Sequence, residues 1–377
     1  MLSTEAGAPR RPVITAWSAV SPFGLGRESF ELGVSTGRTT AQRPDTGVWG
    51  VVADPVAHLV PDFEVRQVLG RAGTRGLDRA TGLVVTAVRE LLRHAPDIVD
   101  DSGLTTAVVL GTTAGSAQGY ADVTRASLEG RRPQDVPPVA LPNMAMNRAA
   151  SASAIFHGLR GPNSTLAAGR VSGLLALEQG RRMLAQHRAD RVVVGATEEY
   201  SQARSWLEHH RRRACDEAAA LGEGSAVLLL ERPDGIGAER TVLAEVLAVT
   251  SCVDADGDPV AVLRSCLSAV LDAAGASSAD VWAAMPSSCG GTPETGEVRL
   301  LEDMFGTEAV SRPAIGSLIG DTSAAASVFQ IAALLSTAQH AAVGDRGPDG
   351  DRLALVSAVD PDGAVACALL RLPSSGR

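Results

Sequence analysis

Ser164-Thr165-Leu166-Ala167-Ala168-Gly169-Arg170-Val171-Ser172-Gly173 opens an Ala- and Leu-rich stretch that ends at Gln186-His187. Much later, Ser317-Leu318-Ile319-Gly320-Asp321-Thr322-Ser323-Ala324-Ala325-Ala326 opens a similar stretch that ends at Gln339-His340. Both read as helices, and each is followed by Asp-Arg and an apolar run. The first run is Asp190-Arg191-Val192-Val193-Val194 and the second is Asp351-Arg352-Leu353-Ala354-Leu355. Each leads through a turn to another run, at 226–230 and at 365–370. Upstream, Ala107-Val108-Val109-Leu110 is matched by Val281-Trp282-Ala283-Ala284. Short, continuous aliphatic runs separated by helices describe strands buried on both faces. Their recurrence in the same order describes an internal duplication. The small residues of 171–180 and 323–333 suit two central helices enclosed between sheets, where large side chains have no room. The expected fold is therefore α/β, five layers in the order α-β-α-β-α, built from two similar halves at 1–232 and 233–377.

Composition narrows the chemistry. With 377 residues and 45% apolar content but only 3% aromatics, the chain can build a large core, mainly from Ala, Val and Leu. Its 34 basic residues are all arginine. Without lysine there is no Schiff base and no P-loop lysine. A net charge of −9 speaks against a nucleic-acid or anionic-membrane surface. The five cysteines (Cys215, Cys252, Cys266, Cys289, Cys367) show no C-x-x-C pair, so neither a metal nor a cofactor is expected, and their odd number suits a reducing cytosol. Residues 1–11 lack a signal-peptide core, and no run approaches the roughly 18–20 apolar residues of a membrane helix. A soluble cytoplasmic protein is expected.

Five collinear segments carry a resemblance. They are Val13-Ile14-Thr15-Ala16-Trp17-Ser18-Ala19-Val20-Ser21-Pro22-Phe23-Gly24; Leu141-Pro142-Asn143 with Phe156-His157-Gly158-Leu159-Arg160-Gly161-Pro162-Asn163; Leu221-Gly222-Glu223-Gly224-Ser225-Ala226; Glu297 with Phe305-Gly306; and Ile319-Gly320. In this order they resemble the β-ketoacyl synthases of the thiolase-like fold over nearly the whole chain. That resemblance implies a nucleophilic cysteine on a strand-to-helix turn, two histidines and a lysine. The cysteine's T-A-C-A-S-G pattern falls on Ala168-Gly169-Arg170-Val171-Ser172-Gly173, which puts Arg170 at the nucleophile position. Counting back from Glu297 puts the first histidine at Pro286, and no histidine lies between 211 and 339. The K-S-x-x-G-H motif reads Gly316-Ser317-Leu318-Ile319-Gly320-Asp321, so Gly316 replaces the lysine and Asp321 the second histidine. The glycine-rich gate is replaced by Val359-Asp360-Pro361-Asp362-Gly363. A guanidinium stays protonated and has no free lone pair with which to attack.

These replacements resemble the chain length factors of type II polyketide systems. The resemblance implies a non-catalytic subunit of a heterodimeric 3-oxoacyl-[acyl-carrier-protein] synthase that makes a polyketide, polyenes included. Its partners would be an active ketosynthase and an acyl carrier protein. Arginine instead of the usual glutamine, and the short length, depart from that pattern. Residues 113–123 would then approach the partner's acyl tunnel, with Ser116, Ala117, Gly119, Tyr120 and Val123 lining it; an ordinary solvent loop is the other reading. Alternatives for the whole chain are a freestanding thiolase-fold enzyme with other acyl-thioester chemistry, such as acyl transfer or decarboxylation, and a homodimeric scaffold. Arg170 opposes the dipole of the helix it precedes and is costly to bury alone. Because the resemblance makes positions 170 and 321 converge, an Arg170–Asp321 salt bridge is expected; binding of a carboxylate or phosphate by Arg170 is the competing reading. Asp254-Ala255-Asp256-Gly257-Asp258 reads as a turn rather than a calcium loop. His209-His210-Arg211-Arg212-Arg213 reads as a solvated segment, and Cys289-Gly290-Gly291 as no catalytic thiol.

Overall fold

The aliphatic runs assemble edge to edge into one ten-stranded sheet. The computed structural model describes residues 11–99, 105–211, 219–236, 240–287, 292–310, 315–340 and 351–373, so Cys215, Cys289, Arg212 and Arg213 lie outside the described residues. Nine strands form the path of the sheet: β1 (Val13–Ser21), β2 (Thr106–Thr112), β3 (Asn163–Ala167), β4 (Arg191–Glu198), β5 (Gly224–Glu231), β6 (Ala244–Val253), β7 (Val281–Met285), β8 (Arg352–Val359) and β9 (Ala364–Leu372). Their order is β7-β8-β9-β6-β1-β5-β4-β2-β3, with the short strand Gly24–Leu25 paired to β1.

The expected duplication is written in this order. In the first half β2 pairs with β4 in parallel, β4 with β5 antiparallel, and β5 with β1 antiparallel. In the second half β7 pairs with β8 in parallel, β8 with β9 antiparallel, and β9 with β6 antiparallel. The halves meet where β1 pairs with β6, Val13 opposite Glu245 and Ile14 opposite Ala244. β3 extends the first half by one edge strand.

Among the described residues, the helices that frame the site and its layers include α1 (Arg79–His94), α2 (Ala117–Glu129), α3 (Arg148–His157), α4 (Ser172–Ala185), α5 (Gln202–Arg211), α6 (Pro259–Ala274), α7 (Thr292–Phe305), α8 (Ile315–Ile319) and α9 (Ala326–His340). α4 and α9 form the middle layer, α4 against β2 and β4, α9 against β5 and β8, each touching the other. α1 and α3 cover the outer face of the first half and α6 covers that of the second. Strand alternation sorts side chains between the layers. β4 sends Val192, Val194 and Ala196 to the central core and Val193 outward. β9 sends Ala366, Ala368 and Leu370 to the centre and Val365, Cys367 and Leu369 outward. This two-sided burial is why the strands read as continuous apolar runs.

The middle helices lie so close that side chains are rationed. A Cβ on Gly173 would fall 2.4 Å from Ser327 Oγ and 2.9 Å from the Ala324 carbonyl oxygen. The opening segments differ from the expected uninterrupted helices: Asn163–Ala167 is strand β3 and Ile315–Ile319 is the separate helix α8. In each case a glycine at positive φ, Gly169 or Gly320, breaks the chain before the central helix. The Asp254 loop is a turn in which Asp254 Oδ1 accepts from the backbone N–H groups of Asp256, Gly257 and Asp258.

Candidate functional site

The strand-to-helix elbow between β3 and α4 is fixed from within. Ser172 Oγ donates to the Gly169 carbonyl (2.6 Å) and accepts from Ala168 N (2.9 Å). Gly169 has φ of 60°, and a Cβ there would lie 2.0 Å from Asp360 Oδ2. The β8–β9 turn therefore rests directly on the elbow. Arg170 N donates to Asp360 Oδ2 at 2.8 Å, and Arg170 Nη2 donates to Asp321 Oδ2 at 2.8 Å. Both side chains of the ion pair are largely buried, at 15% and 13% exposure. Arg170 thus joins the first half of the chain to two loops of the second.

Asp321 is held on every side. Its Oδ1 accepts from Ser323 N (2.8 Å), its carbonyl accepts from Gly222 N (2.9 Å) and Arg204 Nη2 (3.0 Å), and its N–H donates to the Ala220 carbonyl (2.8 Å). Burial alone would raise its carboxyl, but Arg170 and Arg204, with the hydrogen bonds from Arg170 and Ser323, hold it down to about 2. Of the other aligned positions, Pro286 follows β7 with its carbonyl accepting from Gln330 Nε2, and Gly316 sits in α8. Beside Pro286, Ser287 and Ser357 donate to buried Glu297, a network that ties β7, β8 and α7 together. Cys252, Cys266 and Cys367 lie in the outer layer of the second half, on the opposite face of the sheet from α4.

The five residues expected at a tunnel mouth open a helix rather than a loop. Buried Ser116 caps α2, its Oγ accepting from Gly119 N at 3.0 Å. Ala117 and Gly119 are half-buried, Tyr120 is exposed and Val123 is buried. Behind them β4 ends in two adjacent buried acids. Glu198 accepts from Thr113 N (3.2 Å), while Glu199 accepts from Ser116 Oγ (3.2 Å) and Gln118 N (3.0 Å). Burial pushes the Glu199 carboxyl up to about 7, aided by Asp78 and Glu198 against the hydrogen bonds from Gln118 and Ser116. Burial raises Glu198 as well, against the pull of Arg204. A cleft of about 550 Å3 runs along this helix start, lined by Trp49, Ser116, Gly119, Asn143, Glu199 and Tyr200.

Sequence reasoning missed four residues that build the site. Asp360 was visible only as part of a turn that had lost its glycines. Buried Arg204 donates to the carbonyls of Glu199, Gly222 and Asp321. His58, kept neutral by burial against its hydrogen bond to the Leu318 carbonyl, also bonds Thr40 and braces the loop that carries Asp321. Glu199 had a readable signal: a strand buried on both faces that ends in two charges. His157 packs at the end of α3, its Nε2 bonded to the Val85 carbonyl. Among the described residues no group of three or more His, Cys, Asp and Glu side chains could hold a metal ion, and no helix is long and apolar enough to cross a membrane.

Residues 10–234 match the beta-ketoacyl synthase N-terminal domain. A solved structure titled the ishigamide ketosynthase/chain length factor is 42% identical, with a TM-score of 0.88 over 97% of this chain and 100% of that one. The 3-oxoacyl-[acyl-carrier-protein] synthase 2 of Rhizobium meliloti is 25% identical over 368 residues, 86% of each chain. The tetracenomycin polyketide synthase ketoacyl synthase alpha subunit of Streptomyces glaucescens is 26% identical over 247 residues, 59% of this chain and 58% of that one.

Proposed function

The chain belongs to the β-ketoacyl synthase family, and we propose that within it the protein is a chain-length-factor-like subunit that pairs with an active ketosynthase in type II polyketide synthesis. The observation that carries this is the filled elbow. Where a ketosynthase needs a thiolate, Arg170 offers a permanently protonated cation already bonded to Asp321. The backbone N–H at the same position, which could serve a developing oxyanion, already donates to the Asp360 carboxylate. Pro286, Gly316 and Asp321 supply no imidazole and no ammonium to assist decarboxylation. Condensation therefore belongs to the partner, and this subunit contributes shape.

The surface supports an obligate partner. β3 ends the sheet with one edge open, and an open edge invites another strand. Helix α3, which packs against β3, and the segment just before it carry exposed apolar side chains, Ile155 and Met146. A family partner joined along that edge would cover them in one continuous interface and bring the start of α2 to its acyl tunnel. Exposed Arg66, Arg71 and Arg75, in a chain of net charge −9, suit an acidic carrier protein that delivers the chain.

Co-expression with a ketosynthase that keeps its cysteine and two histidines, followed by size-exclusion chromatography, tests the assignment. A stable heterodimer that condenses malonyl units from the carrier protein, beside an isolated chain that does not, is the expected result. A homodimer that ignores every such ketosynthase, or turnover by this chain alone, overturns it.

A further inference from the structure

A hydrogen-bonded train leads from the filled elbow to the start of α2. Asp321 bonds Ser323 N; Ser323 Oγ lies 2.9 Å from Thr113 Oγ1; and Thr113 N donates to Glu198. A second route runs through Arg204, whose guanidinium holds the Asp321 and Glu199 carbonyls together. The first ends at Glu198 and the second at the backbone carbonyl of its neighbour Glu199, which is 1% exposed and spends its carboxylate on Ser116 Oγ and Gln118 N, the cap and first turn of α2. Gln118 is gripped from the other side too, its Oε1 accepting from Ala203 N of α5 at 3.0 Å. Ser116 also closes the helix start, its Oγ accepting from Gly119 N and its carbonyl from Tyr120 N. A helix start fixed this way cannot pivot without leaving a buried carboxylate unbonded, which is strongly disfavoured.

We propose that Glu199 is the positioning residue that sets how far α2 projects into the acyl tunnel, and that the Arg170–Asp321 pair serves as the far anchor of the same strut. The substituted centre thereby gains a role that needs no chemistry: it stiffens the wall against which a partner's growing chain is measured. This inference rests on the reading of residues 116–123 as tunnel lining. The charged groups that act on the Glu199 carboxyl are Asp78 ahead of α1 and Glu198 of β4; Arg204 of α5 bonds its backbone carbonyl, and Arg79 of α1 and Asp122 of α2 share its cleft.

The test uses the co-purified heterodimer, malonyl-loaded carrier protein and mass spectrometry of product lengths. Glu199→Ala should leave the heterodimer intact on size-exclusion chromatography yet change the ratio of the main product to its neighbours at least two-fold. Glu199→Gln, which keeps an acceptor for Gln118 N, should restore the wild-type ratio, whereas Glu199→Leu, which keeps the bulk without the acceptor, should not. Tyr120→Ala, on the exposed side of the same helix, probes the lining itself. If Tyr120→Ala shifts the products and Glu199→Ala does not, Glu199 is no positioning residue although the lining reading stands. If neither shifts them, the lining reading fails. Should Glu199→Ala not assemble, Ser116→Ala cuts the same bond from the helix side and decides by the same ratio.

Discussion

Asp321 gives the substituted centre a measurable acid signature. Its carboxyl is lowered from 3.8 to about 2, so the folded chain binds the proton more weakly than the unfolded one. The stability it contributes is complete above about pH 4 and is lost as pH falls through about 2, an effect of about 2 kcal/mol. Asp321→Asn should remove that part of the acid limb in urea titrations. It should also cost about 3 kcal/mol at neutral pH, since Arg170 is left buried without its counter-charge. Glu199 runs the other way. Its carboxyl rises from 4.5 to about 7, so the folded state holds the proton longer and stability declines as pH climbs across that window. Glu199→Gln should flatten the decline, changing stability relative to wild type by up to about 3 kcal/mol between pH 4.5 and 8. At this scale the sequence was legible where the resemblance supplied a motif: Arg170 and Asp321 were singled out because the family's motifs fall on them. Asp360, Arg204 and His58 were not, because each acts on a residue more than a hundred positions away, and nothing in its own neighbourhood marks that contact.

Among the elements, the central helices leave no room for a side chain where they cross. Gly173→Ala places a methyl within 2.4 Å of Ser327 Oγ, where α4 and α9 cross, and both helices are walled by sheets. The expected loss is about 1–3 kcal/mol in chemical denaturation, the cost of overpacking a rigid core. Leu177→Ala, which empties fully buried space on the same helix, should cost about 2–5 kcal/mol. The apolar runs and the Ala- and Gly-rich stretches announced these elements because two-sided burial leaves no polar face to obscure the pattern. The ends of the elements were harder to read. β3 and α8 were merged with the helices that follow them, since a positive-φ glycine leaves the hydrophobic pattern almost unbroken while it turns the backbone. The start of α2 was read as tunnel lining or solvent loop and not as a helix, because Ser116, Ala117 and Gly119 are too small to show a helical stripe.

For the whole molecule, the open edge at β3 and the apolar side chains near it separate folding from association. Ile155 is 80% exposed, so charge there meets water in the monomer. Ile155→Glu should leave the urea midpoint of the isolated chain within about 0.5 kcal/mol of wild type. It should weaken heterodimer formation at least tenfold in analytical ultracentrifugation, because a carboxylate is then desolvated against an apolar partner. Undiminished association would place the partner on another face.

The carboxylate of Asp360 on the Arg170 N–H also decides what a thiol would meet at this elbow. A cysteine introduced at 170 alone would emerge beside two anions, Asp360 on its own amide and Asp321 where the guanidinium had been. Both would drive the thiol's proton affinity up and its nucleophilicity down. Arg170→Cys should therefore react with iodoacetamide more slowly than a free thiol at pH 7.5, with no gain in condensation. On the proposed reading a condensing centre here would need changes at 170, 286, 316, 321 and 360 together, so no single substitution should confer condensation on this chain.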